Sequence, residues 1–238
     1  VKNESETIIK WLLSNGANPF IKNNRGDTLL SVSFKKQNKN CINICLDHIQ
    51  ISEGSEQINR IYINAILNSD FELIKYLIEN SNTFRLDINC KDSNGNPALV
   101  LAAKRKDEKM VALLLTSRQI DINLAASNEN TTALFYCAKY HLLDSVQLLV
   151  KKKEVHINTD NNELESPLSI AVKESNSLEK KPKIVNTLLM SGAYIDHTNK
   201  DGNSVLMQAV LQPDTNIIGV LLIQEKINLN LKNNKNDS

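Results

Sequence analysis

Apolar positions recur along this chain at nearly constant intervals. A branched apolar residue is followed three positions later by an apolar pair at Ile9/Leu12-Leu13, Ile42/Cys45-Leu46, Ile74/Leu77-Ile78, Val111/Leu114-Leu115, Val146/Leu149-Val150, Val185/Leu188-Leu189 and Ile218/Leu221-Leu222. Residues three and four apart share one face of a helix, so each set predicts a helix with an apolar stripe. Successive branched residues lie 33, 32, 37, 35, 39 and 33 positions apart, which is a repeat with loop insertions. Twelve residues earlier stands a second apolar anchor, at Leu30, Tyr62, Leu99, Leu134 and Leu206. In the remaining copy Leu168 is set back by five further residues, within Lys173 to Pro182, and Glu79 to Leu86 enlarges another loop. Three positions after each anchor the side chain is small, at Ser33, Ala65, Ala102, Cys137, Ala171 and Ala209. This predicts a second helix packed closely on the first, because a bulky residue there would overpack at a cost of about 1 to 3 kcal/mol.

One such helix pair cannot bury its own stripes, whereas stacked copies can, with stability growing as a sum of repeat and neighbour terms. The segments leading into the anchors read Gly26-Asp27-Thr28-Leu29-Leu30, Gly95-Asn96-Pro97-Ala98-Leu99, Asn130-Thr131-Thr132-Ala133-Leu134, Leu164-Glu165-Ser166-Pro167-Leu168 and Gly202-Asn203-Ser204-Val205-Leu206. Thr28, Thr132, Ser166 and Ser204 stand where a hydroxyl caps a helix, and Pro97 and Pro167 where a first turn tolerates a missing amide proton. Gly26, Gly95 and Gly202 supply the positive backbone angle of a tight tip, and Asn130 partly substitutes. Ile58 and Leu164 resist that angle, so the second and fifth tips are expected to be irregular.

These residues resemble the ankyrin-repeat family, whose unit is a β-turn plus two helices in about 33 residues around T-P-L-H-x-A. The family's Gly-Ala after the second helix survives as Gly16-Ala17 and Gly192-Ala193. Elsewhere it becomes an apolar-polar alternation at Leu86-Asp87-Ile88-Asn89, Ile120-Asp121-Ile122-Asn123, Val155-His156-Ile157-Asn158 and Ile227-Asn228-Leu229-Asn230. The resemblance covers nearly the full length and implies an all-α solenoid of stacked antiparallel helix pairs with β-hairpin tips. Its register divides the chain into a partial repeat at 1–22 holding a second helix only, six repeats at 23–54, 55–91, 92–126, 127–160, 161–198 and 199–231, and the start of a further repeat or a tail at 232–238. Ile8 and Trp11 without a first helix to cover them, and an uncompleted turn from Lys232, suggest additional domains of the same polypeptide.

Charge and composition narrow the function. With 28 basic and 27 acidic residues the net charge is +1, which gives no whole-molecule field for nucleic acid. Apolar runs such as Val220 to Ile223 are far shorter than the roughly 20 residues of a membrane span. Four cysteines at no disulfide-framework density and no signal-like start fit a cytoplasmic protein. The seven glycines include no pair at phosphate-loop spacing, and no H-E-x-x-H, C-x-x-C or calcium-loop pattern occurs. Cys41, Cys45 and His48 could lie along one helix face, but Cys45 takes a core position; Cys137, four residues from His141, fills a small-residue slot; His156 and His197 lie in loop segments with no partner at diagnostic spacing. The expectation is therefore no enzyme, no cofactor and no metal.

The resemblance implies that a protein or peptide partner sits in the concave groove formed by the tips and the exposed side of each first helix. By register the exposed pairs are Lys35-Lys36, Leu67-Asn68, Lys104-Arg105, Lys139-Tyr140, Lys173-Glu174 and Leu211-Gln212, and the tips include Asn24, Arg25, Asp27, Asn94, Glu129 and Glu163. The candidate partner-binding residues are Lys35, Lys36, Asn68, Asn94, Lys104, Arg105, Glu129, Lys139, Tyr140, Glu163 and Lys173. Their lysines suggest a basic ladder for an acidic partner, with Tyr140 as an aromatic contact, against the plainer alternative of an ordinary hydrated face. The degenerate Asn-, Lys- and Ile-rich repeats look like those of intracellular-bacterial effectors that act in a host cytosol, a composition shared with poxviral and protozoan proteins. The other reading is a substrate-docking segment of a multidomain enzyme whose catalytic domain lies elsewhere.

Overall fold

Every small residue that follows an anchor is buried in a computed structural model of the chain, from 0% exposure at Ala102, Cys137, Ala171 and Ala209 to 4% at Ala65 and 5% at Ser33. The structure describes residues 2–17, 21, 23–24, 28–36, 38–174, 179–212, 215–224 and 227–237. Gly26, Arg25, Asp27 and part of the insertion, 175–178, lie outside the described residues, as does the side chain of Lys35. The chain forms two units, Val1–Cys90 and Lys91–Ser238. Among the described residues no helix is long and apolar enough to cross a membrane.

The first unit contains α1 (Lys2–Ser14), α2 (Leu29–Lys35), α3 (Lys39–Leu67), α4 (Phe71–Glu79) and the short α5 (Ser81–Phe84). Helix α3 packs against each of the others. Cys45, Leu46, Tyr62, Ile74 and Leu77 form its core at 0% exposure. The expected irregular tip near Ile58 is replaced by continuous helix, with Ile58 itself at 0% exposure inside α3. The stretch from Gln50 to Arg60 holds a single glycine and no proline, and Ile58 disfavours the left-handed angle, so the helical path satisfies the backbone better than a turn. In α1 the buried member of the apolar pair is Leu13, at 3%, while Leu12, Trp11 and Ile8 are exposed.

The second unit pairs α6 (Ala98–Lys104) with α7 (Glu108–Leu114), α8 (Ala133–Lys139) with α9 (Leu143–Val150), α10 (Pro167–Lys173) with α11 (Lys181–Met190), and α12 (Val205–Val210) with α13 (Thr215–Leu222). First helices pack on first helices in chain order, and second on second. The branched residues Val111, Val146 and Val185 and their partners Leu114, Leu149 and Leu188 are all at 0% exposure. In α13 Leu221 is at 0% exposure where the period puts it, but the buried branched residue is Ile217, at 1%, in place of Ile218.

Hydroxyls start three of these helices: Thr132, Ser166 and Ser204 accept from the backbone N–H of Phe135, Ser169 and Met207 at 3.3, 3.2 and 3.2 Å. Carboxylates and amides start the second helices, with Asn38, Asp70 and Asp107 accepting from Cys41, Leu73 and Met110. The residue before that cap is left-handed at Ser69, Lys106 and, where Leu142 replaces the cap, His141.

Four tips of the second unit share one design. Asp92, Asn161, Asn199 and Asn233 each donate backbone N–H to the carbonyl four residues on, at 3.0 to 3.1 Å in the first three and 2.9 Å in the last. Their side chains each accept two further backbone N–H groups of the turn, which mimics a turn by itself. The residue three positions on is left-handed: Gly95, Leu164, Gly202 and Asn236, with φ of 76°, 56°, 78° and 68°. The intervening tip is one residue longer and uses Asn130 at φ 52°. A β-carbon at Gly95 or Gly202 would lie 2.7 Å from Ser127 or 2.5 Å from Asn234, so these glycines also admit the next tip.

The fifth tip is therefore regular, contrary to expectation. Leu164 is held at a left-handed angle that costs an L-residue about 1 to 2 kcal/mol. The Asn161 side chain and an Nε2–H bond from His197 to the Leu164 carbonyl, 2.9 Å, offset the strain. Leu164→Gly should therefore raise stability, by about 0.5 to 1 kcal/mol after the glycine's extra unfolded-state entropy. Urea denaturation at constant m checks this, and a loss of stability would show the angle to be unstrained.

Successive loops on the opposite side are clasped by amides. Asn123 accepts from His156 N–H at 2.7 Å and donates to the Glu154 carbonyl at 2.7 Å; Asn158 accepts from Tyr194 N–H at 2.9 Å and donates to the Gly192 carbonyl at 3.0 Å. Asp196 accepts from Asn228 N–H at 2.9 Å, and in the first unit Asn59 accepts from Asp87 N–H at 3.0 Å. The apolar-polar alternation thus has a partial assignment: Leu86, Ile88 and Ile122 enter the core and the amides of Asn123 and Asn158 bind the next loop, whereas Leu229 is exposed.

Candidate functional site

The last turns of α6 and α8 present a mixed aromatic and basic cluster. Lys104 and Lys139 end these helices, and Arg105 and Tyr140 follow as their C-caps. Tyr136, one turn before Tyr140, is 3% exposed and stacks on it with centroids 6.0 Å apart. The Lys104 ammonium lies 4.8 Å from the Tyr136 ring centroid and that of Lys106 lies 4.8 Å from Tyr140. Each lysine thus adds a cation–π contact, worth about 0.5 to 1 kcal/mol at exposed sites. Tyr136 donates a hydrogen bond to Glu129, and burial first, then that acceptor, pushes its hydroxyl pKa up.

Not every predicted cation is free. Lys104 Nζ donates to Asn96 Oδ1 at 2.9 Å and lies 3.9 Å from Glu129 Oε1. Lys173 Nζ donates to Glu165 Oε1 at 2.5 Å, and this bond raises its pKa. The same strap therefore ties two first helices to tip residues eight positions earlier. Arg105 and Lys139 make no ion pair among the described residues, and Lys106 contacts only the Tyr140 ring there.

The other candidates serve local structure. Asn68 caps α3 by donating Nδ2–H to the Asn64 carbonyl at 2.8 Å. The Asn94 carbonyl accepts from Asn128 Nδ2 at 3.3 Å, and Glu163 pairs with Lys200 across adjacent tips at 3.4 Å. Lys36 is exposed in the first unit. Within the second unit Lys104 and Glu129 approach each other, and Arg105, Lys139 and Tyr140 stand at the ends of the same two helices, while Glu163 and Lys173 pair elsewhere and the Asn94 carbonyl serves its tip; Lys36 and Asn68 belong to the first unit. Sequence reasoning missed Tyr136 and Lys106. The first was visible as an aromatic residue four before Tyr140, and the second as a third cation after Lys104 and Arg105.

The reactive side chains are committed to packing. Burial pushes the thiols of Cys45 and Cys90 up to about 12 and raises those of Cys41 and Cys137, which disfavours the nucleophilic thiolate. His141, 2% exposed, has Nε2 3.1 Å from the Ala171 carbonyl, and burial lowers its pKa. Among the described residues no three His, Cys, Asp or Glu side chains converge as a metal site.

A family model for ankyrin repeats in three copies matches residues 1–85, 61–161 and 119–198. The chain is similar to the ankyrin repeat domain of Bcl-3, described as a unique member of the IkappaB protein family, with 22% identity and a TM-score of 0.71 over 90% of this chain and 92% of that one. It is similar to the ankyrin repeat protein EF0377, with 20% identity and a TM-score of 0.67 over 82% of this chain and 96% of that one. A probable serine/threonine-protein kinase of Dictyostelium discoideum is 25% identical over 122 residues, which is 50% of this chain but only 14% of that protein's length.

Proposed function

Since the chain belongs to the ankyrin-repeat family, whose repeats mediate protein–protein interaction, we propose that it is a binding scaffold that takes an acidic partner segment on the tip-bearing face, centred on α6 and α8. The observation that carries this reading is the stacked Tyr136/Tyr140 pair with Lys106 on the Tyr140 ring, at helix ends that also bear Arg105 and Lys139, none of these three cations having a carboxylate partner among the described residues. Tyrosine and arginine are frequent hot-spot residues, and unpaired cations steer acidic partners. Lys104 and Lys173 strap tips to helices in this reading and contribute less to recognition. A second reading, a docking segment within a larger multidomain enzyme, is favoured by the partial match to the Dictyostelium kinase. An effector role in a host cytosol rests on composition alone.

Peptide display on the folded chain tests the proposal. Selected peptides should be rich in Asp and Glu. Arg105→Glu with Lys106→Glu should weaken them by about tenfold or more, roughly 1.4 kcal/mol, with the melting temperature unchanged. Basic or uncharged selections, or an affinity unmoved by the double reversal, would sink it.

A further inference from the structure

The turn between α8 and α9 buries a histidine at its left-handed position. Ser69 and Lys106 hold the same place before the caps of α4 and α7, and Lys106 is exposed. His141 takes the same backbone angle, φ 53°, yet is only 2% exposed. Its ring reaches α10, where Nε2 lies 3.1 Å from the Ala171 carbonyl. Ala171 stands in the last turn of α10, where carbonyl groups run out of partners within the helix, so the ring caps that helix end from the preceding helix pair.

This contact fixes where the proton sits. A carbonyl only accepts, so Nε2 carries the hydrogen and the neutral ring leaves Nδ1 as an acceptor. Nδ1 is buried and has no hydrogen-bond partner among the described residues. A second proton would place there a charge and a donor with nothing to receive it. Two charged groups act on the ring from the elements packed against it. Lys181, 1% exposed on α11, opposes the proton, while Glu174, the C-cap of α10, favours it together with the Ala171 carbonyl. Lys180 turns instead to Glu108 of α7, 3.9 Å away, Asp144 of α9 is exposed, and burial keeps the Cys137 thiol of α8 neutral. Burial is the largest influence on His141 and holds its pKa below the ordinary imidazole value.

We propose that His141 is an acid-sensitive latch between neighbouring helix pairs: proton uptake at Nδ1 releases the α8–α9 turn from the end of α10 and loosens the α8/α9 pair against the α10/α11 pair. The latch lies in this buried junction and operates whatever the tip-bearing face binds. The unfolded chain takes up the proton at an ordinary pKa of about 6.5, and the folded chain only at lower pH. Stability present at neutral pH is therefore lost as the pH falls through about 6.5.

Urea unfolding of the whole chain at about pH 7.5 and about pH 5.5 tests this against His141→Asn, which suits the left-handed angle and removes the titrating ring. Over that interval the unfolding constant should rise about threefold to tenfold more in the unaltered chain than in the variant. Two further readouts need no variant. Amide protection at Leu142, whose N–H donates to the Cys137 carbonyl at 2.9 Å, should fall on acidification by more than at Asp107, which makes the equivalent bond to Ala102 at 3.1 Å. The His141 ring, followed by nuclear magnetic resonance, should titrate below about pH 6.5. Equal pH dependence of chain and variant, a fall in protection no larger at Leu142 than at Asp107, or a ring that titrates at or above the ordinary value overturns the proposal.

Discussion

Leu149→Ala should destabilise the second unit by about 2 to 5 kcal/mol, while its neighbour Leu148→Ala should cost under about 1 kcal/mol. Leu149 is at 0% exposure on α9, which packs against α7, α8 and α11; Leu148 points outward at 36%. The cavity opens where two neighbouring repeats meet α9, so the loss falls on interfaces as well as on the helix pair itself. Because each interface is local, little repacking from the rest of the unit can refill it, which places the cost toward the upper end of the range. Urea denaturation monitored by circular dichroism reads the difference as a shift in midpoint at similar slope. Equal losses for the two leucines would mean that the stripe does not face its neighbours, and the stacked assignment would fail.

What could be read from the sequence is what depends on spacing alone. The positions three and twelve residues from each branched anchor are set by helix geometry, so Leu99, Ala102, Val111 and Leu114 appear where the period puts them and are buried. The tips were harder, because attention to the left-handed residue overlooked the side chain that organises the turn. Asn161 makes the tip regular despite Leu164, whereas the position three before Ile58 holds Ser55 and no Asn or Asp, and that stretch stays helical. The candidate site shows the same division. Register placed Lys104, Arg105, Lys139 and Tyr140 on the ends of adjacent first helices. That Lys104 and Lys173 turn back to Asn96 and Glu165 depends on the three-dimensional path of the tip, and no spacing rule for one helix encodes it. The slip to Ile217 in α13 was equally hidden, since Ile217 and Ile218 are chemically alike and only the packing against α11 and α12 chooses between them.

Asn158→Ala is the polar counterpart and should cost about 1 to 3 kcal/mol, from two bonds worth about 0.5 to 1.5 kcal/mol each. The amide bridges its own loop to the next repeat through the Tyr194 N–H and the Gly192 carbonyl, so truncation leaves both backbone groups to find water. Asn158→Asp keeps the acceptor and loses the donor, and should cost less than the alanine change. Asp196 supports that ordering, because it holds the Asn228 N–H with a carboxylate oxygen in the following repeat. Amide hydrogen exchange at Tyr194 should quicken in Asn158→Ala and stay near normal in Asn94→Ala, whose side chain is exposed and bridges no loop. The Asn123 clasp sits one repeat earlier on different backbone groups, so Asn123→Ala should add to Asn158→Ala within about 0.5 kcal/mol. A large departure from additivity would mean that these loops act as one cooperative strip instead of as separate nearest-neighbour joints.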